Sequence, residues 1–246
     1  MVPITSNVTR LPALPRLMAL IAMALALTHP QAAAAESLSK TVASDLRAIA
    51  SPRTLEVMGV GSVLTVASLQ FDDPDAAERN LGHGAMDGLF DFGNVYGGSA
   101  VLATAAAGTF GVGRFAHDPR VTRAGSEMIR SLLYTGMAVT TLKVAVHRTR
   151  PNGGPYSFPS GHTAAAFAVA PVLAHRFGWA AAIPAYALAA STAMGRMEDR
   201  KHYLSDVVFG AAIGTSIGLA VSSDHPSSAA WRLALSPMGV GVSARF

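Results

Sequence analysis

The sequence predicts an all-α protein, a bundle of about six apolar helices with its polar chemistry gathered at one end. Three observations carry that expectation. Half of the 246 residues are hydrophobic and only 14% are charged, with a mean hydropathy of +0.35, which excludes a disordered chain. The apolar residues are gathered into separate runs rich in alanine, a strong helix former. Strict apolar–polar alternation, the mark of half-buried strands, is missing from those runs.

The elements follow in order. Arg10 and Arg16 precede the apolar run Leu17–Leu27, and the small residues Ala32 to Ala35 come next. This is the pattern of a signal peptide over residues 1–35, cleaved after Ala35. Eleven apolar residues fall short of the ~20 that a membrane span needs. A polar segment, residues 36–54, separates the signal from the six runs. These are Leu55–Phe71, Val95–Val112, Ile129–Val146, Thr163–Ala174, Trp179–Met194 and Tyr203–Val221, so the helical domain is expected over residues 55–222. Gly, Ser and Thr inside the runs suit close helix packing in a membrane. Several runs are nevertheless short for a span, so membrane and soluble bundles both stay open. In the tail, 223–246, two short strand-like stretches flank a turn at Pro237–Gly239, which reads as a small hairpin.

The charge pattern bears on sidedness. Acids crowd the stretch after the first run (Asp72, Asp73, Asp75, Glu78, Asp87 and Asp91), whereas Arg114, Arg120 and Arg123 follow the second and His175-Arg176 the fourth. The positive-inside rule puts the basic loops in the cytoplasm and the loops around 147–162 and 195–202 in the periplasm. Six spans after a cleaved signal would give the opposite side for 147–162. One premise must therefore give way: a retained anchor, a run that does not span, or a soluble periplasmic bundle.

Composition also excludes chemistry. The chain has no cysteine, so disulfides, thiolate metal sites and cysteine nucleophiles are impossible. A net charge of +4 is too small to imply nucleic acid by itself. No HExxH, DxD or GxxxxGK[ST] pattern occurs, and residues 129–222 hold eight basic groups but only the acids Glu198, Asp199 and Asp206. That surplus in an apolar setting points to an anionic ligand, with no metal and no cofactor expected.

Three pieces of this region carry chemistry. Lys143 and Arg150, seven apart, share a helix face near a stop set by Pro151 and Gly153-Gly154. Alone, they would equally serve as a cationic cap on a helix dipole. Pro159-Ser160-Gly161-His162 opens the fourth run, where a helix N-terminus offers unpaired N–H groups to an anion. There Ser160 adds a hydroxyl and His162 a proton carrier; a plain serine cap is the competing reading. Finally, Arg196 precedes His202 and Asp206, four apart on one face. An aspartate at that spacing can hold one imidazole nitrogen and present the other as a nucleophile. His147, Arg148 and Tyr156 read as structural or rim packing, and His83 and His117 as loop residues.

The ordered set Lys-x6-Arg-Pro, Pro-Ser-Gly-His, Arg-x5-His-x3-Asp resembles the three-part signature of the type 2 phosphatidic acid phosphatase superfamily, which includes class A acid phosphatases and vanadium haloperoxidases. Lys143, Arg150, Pro151, Pro159, Ser160, Gly161, His162, Arg196, His202 and Asp206 match in order. One departure is Gly195, where lipid-phosphatase members often carry serine. The resemblance implies a metal-independent phosphatase with a phosphohistidine intermediate. His202 would be the nucleophile, Asp206 its orienter and His162 the general acid and base. Lys143, Arg150, Ser160, Gly161 and Arg196 would bind phosphate. A lipid phosphate and a membrane are the expected partners, without nucleic acid. The expected location is the cell membrane with the site facing the periplasm, or the periplasm itself. The alternatives are a soluble periplasmic acid phosphatase and, third, a vanadium-dependent haloperoxidase.

Overall fold

A computed structural model describes residues 38–73, 87–223, 231–236 and 239–244. The signal segment 1–35 with its cleavage position, the loop residues Asp75, Glu78 and His83, and the 237–238 turn lie outside the described residues. The chain divides into units 1–44 and 45–246, and the elements that carry the site belong to the second.

The described residues form eight α-helices. They are α1 (38–49), α2 (Pro52–Ser68, extended by a 3-10 turn Leu69–Phe71), α3 (Asp87–Tyr96), α4 (Ser99–Phe115), α5 (Pro119–Val146), α6 (Gly161–Phe177), α7 (Trp179–Glu198) and α8 (Leu204–Ser222). The all-α class holds. Two helices exceed the six apolar runs. The first, α1, lies in the segment read as polar. The second, α3, lies in the stretch read as an acidic loop: Phe90 is buried and Gly93 abuts the backbone of Ser191 and Thr192 on α7, so packing overrides local polarity. Strands β1 (Trp231–Ser236) and β2 (Gly239–Ala244) pair antiparallel, with Trp231 opposite Ala244.

Helix boundaries follow local chemistry. Helix α5 starts ten residues before its apolar run because Asp118 caps it, accepting the N–H groups of Arg120 at 2.8 Å and Val121 at 3.1 Å, with Pro119 in the first turn. It stops at His147, which takes the left-handed conformation at φ 50°. Helix α2 starts likewise at Ser51 with Pro52 behind it.

Helix α8 occupies the middle of the bundle, packed on α2, α5 and above all α6. Its glycine row explains the closeness. A Cβ at Gly210 would lie 2.7 Å from the Ser160 carbonyl oxygen, and at Gly214 and Gly218 it would collide with the carbonyls of Ala164 and Ala168. Val139, Ala164, Ile213, Ile217 and Val221 fill the space around this contact. A second cluster, including Leu102, Met128, Val169 and Ala189, joins α4, α5, α6 and α7. Shielded ion pairs tie the helices further: Glu127 on α5 with Arg176 on α6, and Asp45 on α1 with Arg130 at 2.7 Å and Tyr134 at 3.1 Å on α5.

By length and composition, two helical stretches among the described residues can cross a membrane, Pro52–Phe71 and Leu204–Ser222, and the bent pair α3–α4 makes a third if it acts as one span. Of the helices that carry the apolar runs, α4 and α6 at 17 residues each are short for a span, whereas α5 and α7 are long enough at 28 and 20 residues. Gly214→Ala is expected to destabilise the fold by about 1–3 kcal/mol through overpacking, read as a lower melting temperature in detergent. Gly108→Ala, where an added Cβ meets nothing within 4 Å, should be neutral or stabilising.

Candidate functional site

The end of α5, the start of α6, the end of α7 and the start of α8 meet at one end of the bundle. They bring together residues that lie far apart in sequence. A cavity of about 700 Å³ opens there, and Lys143, Arg150, Gly161, His162, Arg196 and His202 line its polar end. The rest of its wall is mostly apolar, with Ala103 and Ala106 from α4 and Leu132 and Val139 from α5. Six of the eight residues singled out from sequence thus face a common space. The other two stand behind it. Ser160 is fully buried; its hydroxyl shares a 2.9 Å hydrogen bond with Thr163 Oγ1, and its N–H donates to the Asp206 carbonyl at 3.0 Å. Asp206 is also fully buried.

The loop between α5 and α6 is fastened by its own backbone. The Ser157 N–H donates to the Arg148 carbonyl at 2.8 Å, the Arg150 N–H to Gly154 at 2.8 Å and the Asn152 N–H to Arg200 at 3.0 Å. Lys143 Nζ donates to the Tyr156 carbonyl at 2.6 Å, which ties the last turn of α5 to that loop. His147 and Tyr156 stack edge to face at 4.5 Å, both on the exposed side, consistent with a rim.

Donors in this cavity outnumber acceptors. The Nε atoms of Arg150 and Arg196 and the Nδ1 of His202 are buried without a hydrogen-bond partner. Arg196 reaches Asn94 and Asp199 only at 3.5 Å and 3.4 Å. Buried polar groups are normally satisfied, so two orphan arginine Nε donors beside a helix N-terminus suit an anion. Among the described residues no group of three or more His, Asp or Glu side chains is placed to hold a metal ion.

Electrostatics sharpen the picture. Burial pulls the His202 imidazole down to about 4, with Lys143 and Arg196 adding to the shift and Asp206 opposing it. His162 is likewise lowered to about 4, by burial first and then by Arg196, His202, Arg150 and Lys143. Burial and Arg150 lower Lys143 to about 8. All three shifts report a pocket that resists further positive charge. His202 is therefore neutral at pH 7, the state a nucleophile needs.

The Asp206 carboxylate is held on both oxygens. Oδ1 accepts from Arg148 Nη1 at 2.9 Å. Oδ2 accepts the Tyr203 N–H at 2.9 Å and the Ser157 hydroxyl. His202 Nδ1 stands 3.6 Å from Oδ2, just beyond hydrogen-bond distance. Sequence reasoning left Arg148 as packing and saw no role for Ser157, Asn94 or Asp72. No short spacing links these to Asp206 or Arg196; only the fold does. At Gly195 the departure from the signature has a steric reason, because a Cβ there would lie 2.7 Å from the Phe90 carbonyl oxygen and 2.9 Å from Asn94 Nδ2.

Comparison with known proteins bears on the same region. The model of the PAP2 superfamily matches residues 125–229. The chain is 37% identical over 98 residues to the lipid A 1-phosphatase of Porphyromonas gingivalis (strain ATCC 33277). That alignment covers 38% of this chain and 22% of the relative, so the chain spans about a fifth of the curated protein it matches. No solved structure matches.

The lowered imidazoles have a measurable sign. Between pH 6.5 and about 4 an unfolded histidine is protonated while His162 and His202 in the fold are not. The unfolded state then binds more protons, so stability falls as pH drops through that window. Side-chain NMR should show both rings titrating near pH 4, and His162 rising when inorganic phosphate is added. Titration of both at 6.5 would contradict the crowding of cations around them.

Proposed function

We propose that the chain, whose residues 125–229 match the PAP2 superfamily, hydrolyses phosphomonoesters or diphosphates of lipids through a phosphohistidine intermediate. One observation carries this reading: a cavity with orphan cationic donors and a buried histidine at one end continues between apolar helix faces at the other. An amphiphile with a phosphate head matches both ends. Phosphoryl transfer needs positioning and charge stabilisation more than covalent help from the protein. Lys143, Arg150 and Arg196, with the N–H groups at the start of α6, bind the phosphate oxygens as negative charge builds on them.

The steps follow from these positions. His202 Nε2 attacks phosphorus while the bond to the leaving oxygen breaks, and His162 delivers a proton to that oxygen. Asp206 accepts from Nδ1–H and stabilises the imidazolium that forms. Water then attacks the phosphohistidine, His162 takes its proton, and phosphate leaves with His202 restored. A bound phosphate dianion supplies the negative charge that draws a proton onto His162, which is neutral in the empty pocket at pH 7.

The lipid A 1-phosphatase likeness and the apolar wall favour lipid A phosphates, phosphatidate, phosphatidylglycerol phosphate or undecaprenyl diphosphate over soluble esters. The basic turns at Arg114–Arg123 and His175-Arg176 join the helix ends opposite the cavity. Under the positive-inside rule this supports a membrane enzyme whose site faces the periplasm. The shortness of α3, α4 and α6, the signal-like start and the conflict of six spans with a cleaved signal favour a soluble acid phosphatase.

Phosphate release from lipid A, phosphatidate, undecaprenyl diphosphate and an aryl phosphate, assayed in detergent with EDTA, decides among these. We expect EDTA-resistant release, lipid substrates ahead of the aryl ester, and loss of at least ~10³-fold in His202→Ala, on the scale seen when a nucleophile is deleted. Equal release by His202→Ala would refute the phosphohistidine, and a preference for the aryl ester would favour the soluble alternative.

A further inference from the structure

We propose that Arg148 and Asp72 are positioning residues for this reaction: Asp72, at the end of α2, holds the Arg148 guanidinium, which in turn fixes Asp206 in the orientation that serves His202. The inference rests on the function proposed above.

The geometry is a continuous chain of charge-assisted contacts. Arg148 Nη1 donates to Asp206 Oδ1 at 2.9 Å and to Ser205 Oγ at 2.7 Å. Its Nη2 donates to Asp72 Oδ2 at 2.8 Å. The Ser205 hydroxyl donates to Asp72 Oδ2 at 2.5 Å, and the Ser205 N–H to Asp72 Oδ1 at 2.9 Å. The guanidinium also lies over the Tyr203 ring, 4.1 Å from its centroid. The fork of a single arginine thus spans two carboxylates, each with a side chain no more than 6% exposed, an arrangement a lysine cannot reproduce.

Arg148 is absent from the cavity wall, so its role differs from that of Arg150, two residues on. It acts on the far side of Asp206. Oδ2, the oxygen nearest His202, already accepts from Ser157 and Tyr203, so the carboxylate keeps its plane only while Oδ1 is held as well. Removing Arg148 frees that oxygen and strips a buried anion of its counter-charge. Asp72 extends the chain beyond the family-matched residues 125–229. It joins the site to α2, one of the two helical stretches able to cross a membrane. Asp72 also satisfies the start of α8 through Ser205, so a purely structural capping role must be distinguished from positioning.

The test uses the full chain in detergent, with Arg148→Gln, Arg148→Lys, Asp72→Asn and the double variant Arg148→Gln/Asp72→Asn. Melting temperatures identify folded variants. We expect Arg148→Gln to lower kcat by up to ~10²-fold, with KM within about threefold, as for a misplaced rather than a missing catalytic group. Asp72→Asn should lower kcat less. Because Asp72 acts through Arg148, the double variant should be no slower than Arg148→Gln alone. Independently of turnover, the ¹⁵N signals of His202 should change from a single Nδ1–H tautomer to a mixture in Arg148→Gln. If that variant does not fold, the same signals are read in Arg148→Lys, which keeps the charge but loses the fork. A raised KM with unchanged kcat, multiplying effects in the double variant, or unaltered His202 signals in a folded variant would each overturn the inference. If the wild-type chain releases no phosphate from any substrate, the proposed function fails and the His202 signals alone decide this question.

Discussion

The contact between α6 and α8 is the constraint on which the site depends. It is a backbone-to-backbone approach, made possible because Gly210, Gly214 and Gly218 present no Cβ to the carbonyls of Ser160, Ala164 and Ala168. Its chemical consequence lies at the helix starts. The Ser160 N–H reaches the Asp206 carbonyl at 3.0 Å, so the N-terminus of α6, with its unsatisfied N–H groups, is locked beside the first turn of α8. The start of α6 and the Asp206 carboxylate at the start of α8 are thereby set at a fixed separation. A side chain in the glycine row would part them, and the two halves of the site with them.

Asp206 is used twice. At the third position of α8 it accepts the Tyr203 N–H, closing the start of its own helix. The same oxygen faces His202. Helix initiation rests on this buried carboxylate, the cost of burying it is offset by Arg148, Ser157 and the Tyr203 N–H, and the proposed function gives it the orientation of His202 as well. Such a group is dear to bury and dear to disturb, which is why its neighbours merit as much interest as the residues lining the cavity.

The pocket itself is electrostatically incomplete. Three cations and two imidazoles crowd a space where arginine Nε atoms lack partners, and burial first, the cations second, keep both imidazoles neutral. Under the proposed function, a tetrahedral anion would satisfy the donors, balance the cations and restore a proton to His162. The complementarity is thus preformed, and the apolar wall that continues from it limits which esters of such an anion can bind well.

The fold class was legible in the sequence because it rests on local chemistry, and the candidate residues, six of which line one cavity, because three short motifs in order resemble a known signature. Alanine-rich runs form helices and Pro159-Ser160-Gly161 starts one, but Arg150 falls past the end of α5 at Val146 and His202 before the start of α8 at Leu204, so neither Lys143–Arg150 nor His202–Asp206 shares the helix face that its spacing predicts. What the sequence left open was decided by packing between distant segments. Helix α3 forms in an acidic stretch because Phe90 and Gly93 seat against α7, and Gly195 is required because α3 comes so near. Arg148 passed as packing and Asp72 as one acid among several, since only the juxtaposition of α2, the 147–160 loop and α8 makes them neighbours of Asp206. Periodicity and motif spacing encode what a residue does within its own helix. Which partners it meets across the bundle depends on helix–helix distances, and here those distances are set by glycines that no single motif contains.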